Sequence, residues 1–346
     1  MSILDRRQLL AALGAVAVAP LAVRAQTAAP SARLPLVKPP RLRPGDTVGL
    51  VNPATAAFET MPIEILVDSL EALGLKVVQG ESYFDRRGYF AGTDQDRARD
   101  INGFFADPNV KALVARGGWG SARLLPLLDY DAIRGNPKIL LGYSDVTALL
   151  LGIHAKTGLV TFHGPHPRMR FSADRIREVL FDGSSPLLEN PREVSANQTV
   201  QTEHRIQTIT PGVARGPILG GNLTVLTAIV GSGYLPDWRG CVLFLEDVDE
   251  AVYRIDRMLT QLRLASVLEQ IAGFVFGRCT ECEPDSTYGS LTLEEVLRDH
   301  IGSLGVPAYR GAMIGHIPEQ FTIPMGVQAE IDAGAGTIRL LEPGVT

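Results

Sequence analysis

Short apolar runs alternate with stretches of helical apolar spacing through the first half of the chain. Residues 47–51, 76–78, 110–115, 139–141 and 160–162 read as strands, the apolar ones suited to a buried parallel sheet. Ile63, Leu66, Val67 and Leu70 recur at helical spacing after Thr60 and stop at Gly74. Ile101 and Phe105 follow the capping-box-like start Thr93-Asp94-Gln95-Asp96. Leu124, Leu125 and Leu128 form a third helical face, and Val146, Leu149, Leu150 and Ile153 a fourth. This alternation predicts an α/β domain over residues 45–168, an open and mostly parallel sheet with helices on both faces.

The pattern breaks down over 169–205, where Pro186, Asn190, Pro191 and a polar stretch read as a connection between domains. Residues 206–346 form a smaller mixed domain. It starts with a strand, glycine turn and helix start at 216–223. An apolar strand at 241–245 ends in Glu246-Asp247, and a helix runs from Glu250 through Ile255, Met258 and Leu262. A strand at 274–276, a helix at 293–300 and a strand at 309–314 follow. Two alternating strands flank Ala333-Gly334-Ala335-Gly336 as a hairpin.

The N-terminus reads as an address. Arg6-Arg7 precedes an apolar run over 9–23, and Val23-Arg24-Ala25 fits a signal peptidase site. A twin-arginine signal cleaved after Ala25 is therefore expected, with export to the periplasm and no stable membrane anchor. Residues 26–44, rich in Ala and Pro, read as a linker. The net charge of −5 becomes −7 on removal of residues 1–25, which hold Arg6, Arg7, Arg24 and Asp5. With that charge and no long basic run, nucleic acid is not an expected partner.

Chemistry is concentrated where strands meet loops. In a parallel α/β sheet, ligands bind beyond the carboxyl ends of the strands. Arg116-Gly117-Gly118-Trp119-Gly120 and Gly142-Tyr143-Ser144-Asp145 lie at that edge. Ser144 follows a strand and opens a helix, which is the setting of a nucleophile elbow. The match is partial, since Val146 stands where the elbow motif has a second glycine. Ser144 can equally be a helix cap. The first loop lacks a complete phosphate or dinucleotide fingerprint. Its glycines suit either close approach to an oxyanion or a plain tight turn.

A serine nucleophile needs a base and a group to orient it. Six histidines are available. His154 reads as structural, His204 lies in the polar connection, and His300 is at an exposed helix end. His163 and His166 flank Gly164-Pro165, a poor frame for a metal. His316 follows a strand between Gly315 and Pro318, and Glu246 ends a strong apolar strand. The cysteines are Cys241, Cys279 and Cys282. The lone Cys279-Thr280-Glu281-Cys282 reads as a loop disulfide or idle thiols rather than as a metal or redox site.

Together these stretches resemble the LD-carboxypeptidase family of serine peptidases. The resemblance rests on Arg116-Gly117-Gly118-Trp119-Gly120 with the Leu-Leu-Pro and Leu-Asp-Tyr after it, and on Gly142-Tyr143-Ser144-Asp145. It rests also on Gly220-Gly221-Asn222-Leu223, on Leu245-Glu246-Asp247 with Tyr253-Arg254-Ile255-Asp256-Arg257, and on Gly315-His316-Ile317-Pro318. It implies a flavodoxin- or amidotransferase-like first domain and a smaller mixed second one. It implies release of terminal D-Ala from a murein tetrapeptide, or, in a related branch, destruction of the antibiotic microcin C. The family triad falls on Ser144, Glu246 and His316, and the oxyanion N–H groups on Asp145 and Gly118. A homodimer without metal or cofactor is implied. Arg116 and Arg254 are candidates for the substrate carboxylate, and Asn222 and Trp119 for the cleft lining. Murein-recycling members of the family are often cytoplasmic, and an export signal departs from that. The alternative of another class is a two-lobed periplasmic protein that binds peptide without cutting it.

Overall fold

The computed structural model describes residues 33–346 apart from 193, 195, 196 and 285–288. The expected export signal, and the part of the expected linker before Arg33, lie outside the described residues. Residues 33–44 are packed rather than extended from the body. Val37 bridges Leu159, Leu42 is buried, and Arg41 donates its N–H to the Thr346 carbonyl at 3.0 Å.

The apolar runs form two sheets. The first contains β1 (Thr47–Val51), β2 (Lys76–Gln79), β3 (Val110–Ala115), β4 (Ile139–Gly142) and β5 (Phe162–His163). The second contains β6 (Leu187–Glu189), β7 (Gln207–Thr210), β8 (Val213–Asn222), β9 (Val242–Val248), β10 (Gly273–Thr280) and β11 (Ala308–Arg310). Then β12 (Ile323–Pro324) returns to the first sheet, and β13 (Gln328–Asp332) and β14 (Thr337–Leu340) complete the second. The first sheet runs β12-β5-β4-β3-β1-β2, parallel except at β12; the second runs β6-β14-β13-β8-β9-β10-β11-β7. Its centre, β8 to β11, is parallel, and its flanks are antiparallel. The architecture is the mixed α/β class expected from the alternation.

Three local departures have physical causes. The strand expected at 309–314 stops at Arg310, because Gly311 takes a positive φ of 99°. The strand expected at 160–162 forms two residues later, since Val160 is held by Val37. Gly220 and Gly221 do not make a turn; β8 runs through both to Asn222, which pairs with Glu246. A Cβ on Gly220 would strike the Phe244 carbonyl.

The helix Thr147–Thr157 connects the layers. Thr147 through Ile153 are all buried, because the helix packs on sheet one while the end of β8 lies against it. A helix apolar on every side is expected only where both faces are covered. Among the described residues, no helix is long and apolar enough to cross a membrane.

Candidate active site

The carboxyl end of β4 turns sharply at Ser144. This serine has φ 62°, a left-handed conformation that a non-glycine residue adopts at a cost. A short 3-10 turn, Ser144–Val146, then feeds the helix Thr147–Thr157. The bend brings Val146 back over Gly142, where a Cβ would lie 2.7 Å from the valine Cγ1. Glycine before the serine thus accommodates the valine that departs from the elbow motif. A Cβ on Gly117 would lie 3.3 Å from the Ser144 Cβ, so the neighbouring loop also closes on the elbow.

His316 and Glu246 come from the second layer. The His316 Nε2 lies 2.8 Å from the Ser144 Oγ, and its Nδ1 lies 2.9 Å from the Glu246 Oε2. Glu246 is fully buried, and the His316 side chain is 21% exposed. A carboxylate only accepts, so Nδ1 carries the proton and Nε2 presents a lone pair to the serine hydroxyl. The His316 loop is fixed on both sides. Arg278 donates its N–H to the Ile314 carbonyl at 2.8 Å, and the Thr280 hydroxyl donates to the His316 carbonyl at 3.1 Å. Gly315 has φ 125°, and a Cβ there would sit 3.1 Å from Glu246 Oε2.

The loop after β3 lies beside the serine. The Asp145 carboxylate accepts from the Gly120 N–H at 3.1 Å and the Ser121 N–H at 2.8 Å. The Ser121 hydroxyl donates back to the Asp145 carbonyl at 2.5 Å. Burial raises the Asp145 pKa, against the lowering effect of these donors. Gly118 has φ 140°, and a Cβ there would run into the Thr55 hydroxyl. Among the described residues, the Gly118 and Asp145 N–H groups donate to nothing in the chain.

Sequence comparison shows the family. The LD-carboxypeptidase N-terminal domain profile matches residues 48–164, and the C-terminal domain profile matches residues 215–331. The chain belongs to the LD-carboxypeptidase family. It is 39% identical to a probable murein peptide carboxypeptidase of Bacillus subtilis over 310 residues, covering 89% of this chain and 95% of the relative. It is 30% identical to the murein tetrapeptide carboxypeptidase of Pseudomonas aeruginosa over 296 residues, 82% of this chain and 92% of that one. A solved structure of MccF in complex with glutamyl sulfamoyl guanosine superimposes with a TM-score of 0.80 at 28% identity, over 90% of this chain and all of that one. The protein is thus a serine-type carboxypeptidase, a hydrolase.

The other candidate residues of this LD-carboxypeptidase are placed differently. Arg116 is half-buried and donates to the Thr55 carbonyl at 2.6 Å, which braces the Gly117–Gly118 loop. Trp119 is 59% exposed, its ring 6.4 Å from that of exposed Tyr89, and so forms a rim beside the loop. Asn222 is buried and engaged at both ends of its amide. Its Oδ1 accepts from Val225 N–H, capping the helix Leu223–Ala228, and its Nδ2 donates to Asp247 at 3.0 Å. Arg254 pairs with Glu250 at 3.4 Å and donates to the Tyr253 hydroxyl on an exposed helix face. None of its contacts is with Ser144, Glu246 or His316. His300 is buried rather than exposed and pairs with Asp256 at 2.6 Å. Cys279 and Cys282 form a disulfide, and Cys241 is a buried thiol.

Sequence reasoning missed Arg97 and the Asp145 side chain. Arg97 is buried, donates to the Pro53 carbonyl and pairs with Asp94. Phe90 lies under its guanidinium at 4.6 Å. It thereby ties the loop after β1 to the start of the helix Asp94–Ala106. The only sequence signal for it was an arginine on the apolar side of a helix.

Proposed function

We propose that the protein releases the terminal D-alanine of a murein tetrapeptide through an acyl-enzyme on Ser144. The observation that supports this most is the unbroken chain Ser144 Oγ, His316 Nε2, His316 Nδ1, Glu246 Oε2, with both links under 3 Å. The Ser144 oxygen attacks the scissile carbonyl while its proton passes to His316 Nε2. Glu246 stabilises the imidazolium. The N–H groups of Asp145 and Gly118 receive the oxyanion; a donor of this kind contributes on the order of 3 kcal/mol. The tetrahedral intermediate collapses as His316 hands its proton to the leaving amine of D-Ala. Water, deprotonated by His316, then hydrolyses the ester and regenerates Ser144. The B. subtilis and P. aeruginosa relatives bear murein peptide names, which favours this substrate.

Mature protein incubated with L-Ala-γ-D-Glu-diaminopimelate-D-Ala should lose one alanine by mass, and Ser144→Ala protein should not. No loss with either protein removes this substrate. Loss with both moves the chemistry away from Ser144.

The likeness to MccF at TM-score 0.80 supports a second reading, hydrolysis of a microcin C-like peptide-nucleotide amide. Competition between tetrapeptide and such an amide separates the two. We further propose that the protein acts in the periplasm as a homodimer. An N-terminus at Gln26 on periplasmic protein and a dimeric mass in solution would bear this out.

A further inference from the structure

The layer behind Glu246 and His316 holds polar atoms with nothing to bond. Glu246 is fully buried; its Oε2 accepts the hydrogen bond from His316 Nδ1–H, while its Oε1 has no hydrogen-bond partner among the described residues. His163 is fully buried too, and among the described residues neither of its ring nitrogens has a partner. Polar atoms in a packed interior are almost always paired, directly or through a buried water. Two such orphans in one layer therefore call for a common account.

The fold brings them to one place. His163 pairs with Gly142 across β4 and β5, two residues before Ser144. Its ring meets the Phe244 ring edge-on at 5.1 Å and the Tyr143 ring at 6.4 Å. Phe244 and Glu246 are two apart on β9, so their side chains leave the same face of the strand. That face is the one His163 packs against. His163 thus sits between the strand that delivers the serine and the strand that delivers the carboxylate. The ionisable groups facing it are Glu246 from β9, His316 from the loop after β11 and Tyr143 from the elbow. Burial pushes the His163 pKa down to about 4. The ring is therefore neutral at working pH, with one N–H to donate and no carbonyl to take it.

We propose that His163 is a positioning residue that donates its N–H through one buried water to Glu246 Oε1, and so fixes the carboxylate that orients His316. The proposal rests on the reading of Ser144, His316 and Glu246 as the catalytic relay. A donor on Oε1 locks the rotation of the carboxylate about its last bond. It also draws charge from the carboxylate, so the Glu246–His316 pair holds a proton less tightly. Removing the donor should move the acid limb of activity to higher pH.

The test uses a probe that does not depend on the natural substrate, acylation of Ser144 by a fluorophosphonate across pH 4.5–9. His163→Phe and His163→Met fill the space without a donor, and His163→Gln restores one. Folding is checked by circular dichroism and thermal melting. We expect the apolar variants to label about 10- to 100-fold more slowly, the worth of a hydrogen bond to a charged group, with the acid midpoint displaced upward and largely restored in His163→Gln. Folded apolar variants with the wild-type rate and midpoint would overturn the proposal. Wild-type protein that labels no faster than Ser144→Ala would instead overturn the relay reading. A second measurement needs only folded wild-type and Glu246→Gln protein, with ¹⁵N-labelled histidine. The His163 N–H should give a slowly exchanging, hydrogen-bonded resonance that moves in Glu246→Gln. A rapidly exchanging His163 N–H, or one indifferent to Glu246→Gln, counts against the proposal.

Discussion

The backbone N–H of Asn222 donates to the Thr147 hydroxyl at 3.0 Å, and both residues are buried. Thr147 opens the helix that leaves the serine elbow; Asn222 ends the strand beside Glu246. Gly221 makes the contact possible, because a Cβ there would lie 2.6 Å from Thr147. This hydrogen bond ties the layer that carries Ser144 to the layer that carries Glu246. Thr147→Val keeps the shape and removes the acceptor. We expect it to cost about 1–3 kcal/mol of stability, because a buried N–H is left unpaired. We also expect kcat to fall more than KM rises. Chemical denaturation and steady-state kinetics on one preparation check both; unchanged stability would show that the bond carries no weight.

The relay predicts non-additive losses. Ser144→Ala and His316→Ala should each reduce kcat by roughly 10⁴ or more, and the double variant should be no worse than either single one, since the residues act as a unit. Glu246→Gln should be somewhat milder, because it leaves the serine and the base in place while removing the charge behind the imidazole. Multiplying losses in the double variant would mean that Ser144 and His316 do not serve one step.

The Asp145 side chain predicts a separate effect. Its carboxylate holds two successive N–H groups of the loop that contains Gly118. In Asp145→Asn, the amide NH₂ must face one of those donors, and the loop is freed on one side. We expect a fall of about 10- to 100-fold in kcat, in line with the partial loss of an oxyanion donor. The backbone N–H of residue 145 is retained. Wild-type kcat in a folded Asp145→Asn protein would dissociate the loop from the chemistry.

What could be read in the sequence was local. The strand before Ser144 and the helix after it show in a few apolar positions, so the elbow was visible with its competing role as a cap. The relay was not visible in that way. Glu246 and His316 lie 70 residues apart, and His316 lies 172 residues from Ser144. No periodicity spans such distances, so these two residues came through resemblance to a family. The roles of Arg97 and of the Asp145 carboxylate were hidden for the same reason, being contacts across 44 and 24 residues. The two residues of β12 are too few for a period of two to be seen. The paired glycines of β8 were misread because their usual use is in turns. Here the carbonyl of Phe244 excludes a side chain instead.

The pH dependence of stability tests the state of His163. Its pKa is pushed down to about 4 by burial, against about 6.5 in an unfolded chain. A group with a depressed folded pKa stabilises fully above its unfolded value and loses that contribution as pH falls towards the folded one. The His163 contribution should therefore be complete above about pH 6.5 and decline towards pH 4. Asp247 acts in the opposite sense. Burial first, and then the neighbouring Glu246 charge, raise it to about 6, so its contribution is present at low pH and lost as pH rises through about 6. The two partly cancel in the wild-type curve. The difference between wild type and His163→Phe removes the Asp247 part. At about 1.4 kcal/mol per pH unit, that difference should shift by about 2–3 kcal/mol against wild type between pH 7 and pH 4.5. Urea unfolding at the two pH values measures it. A constant difference would mean that His163 titrates alike in the folded and unfolded chains, and so is not held neutral by the layer behind Glu246.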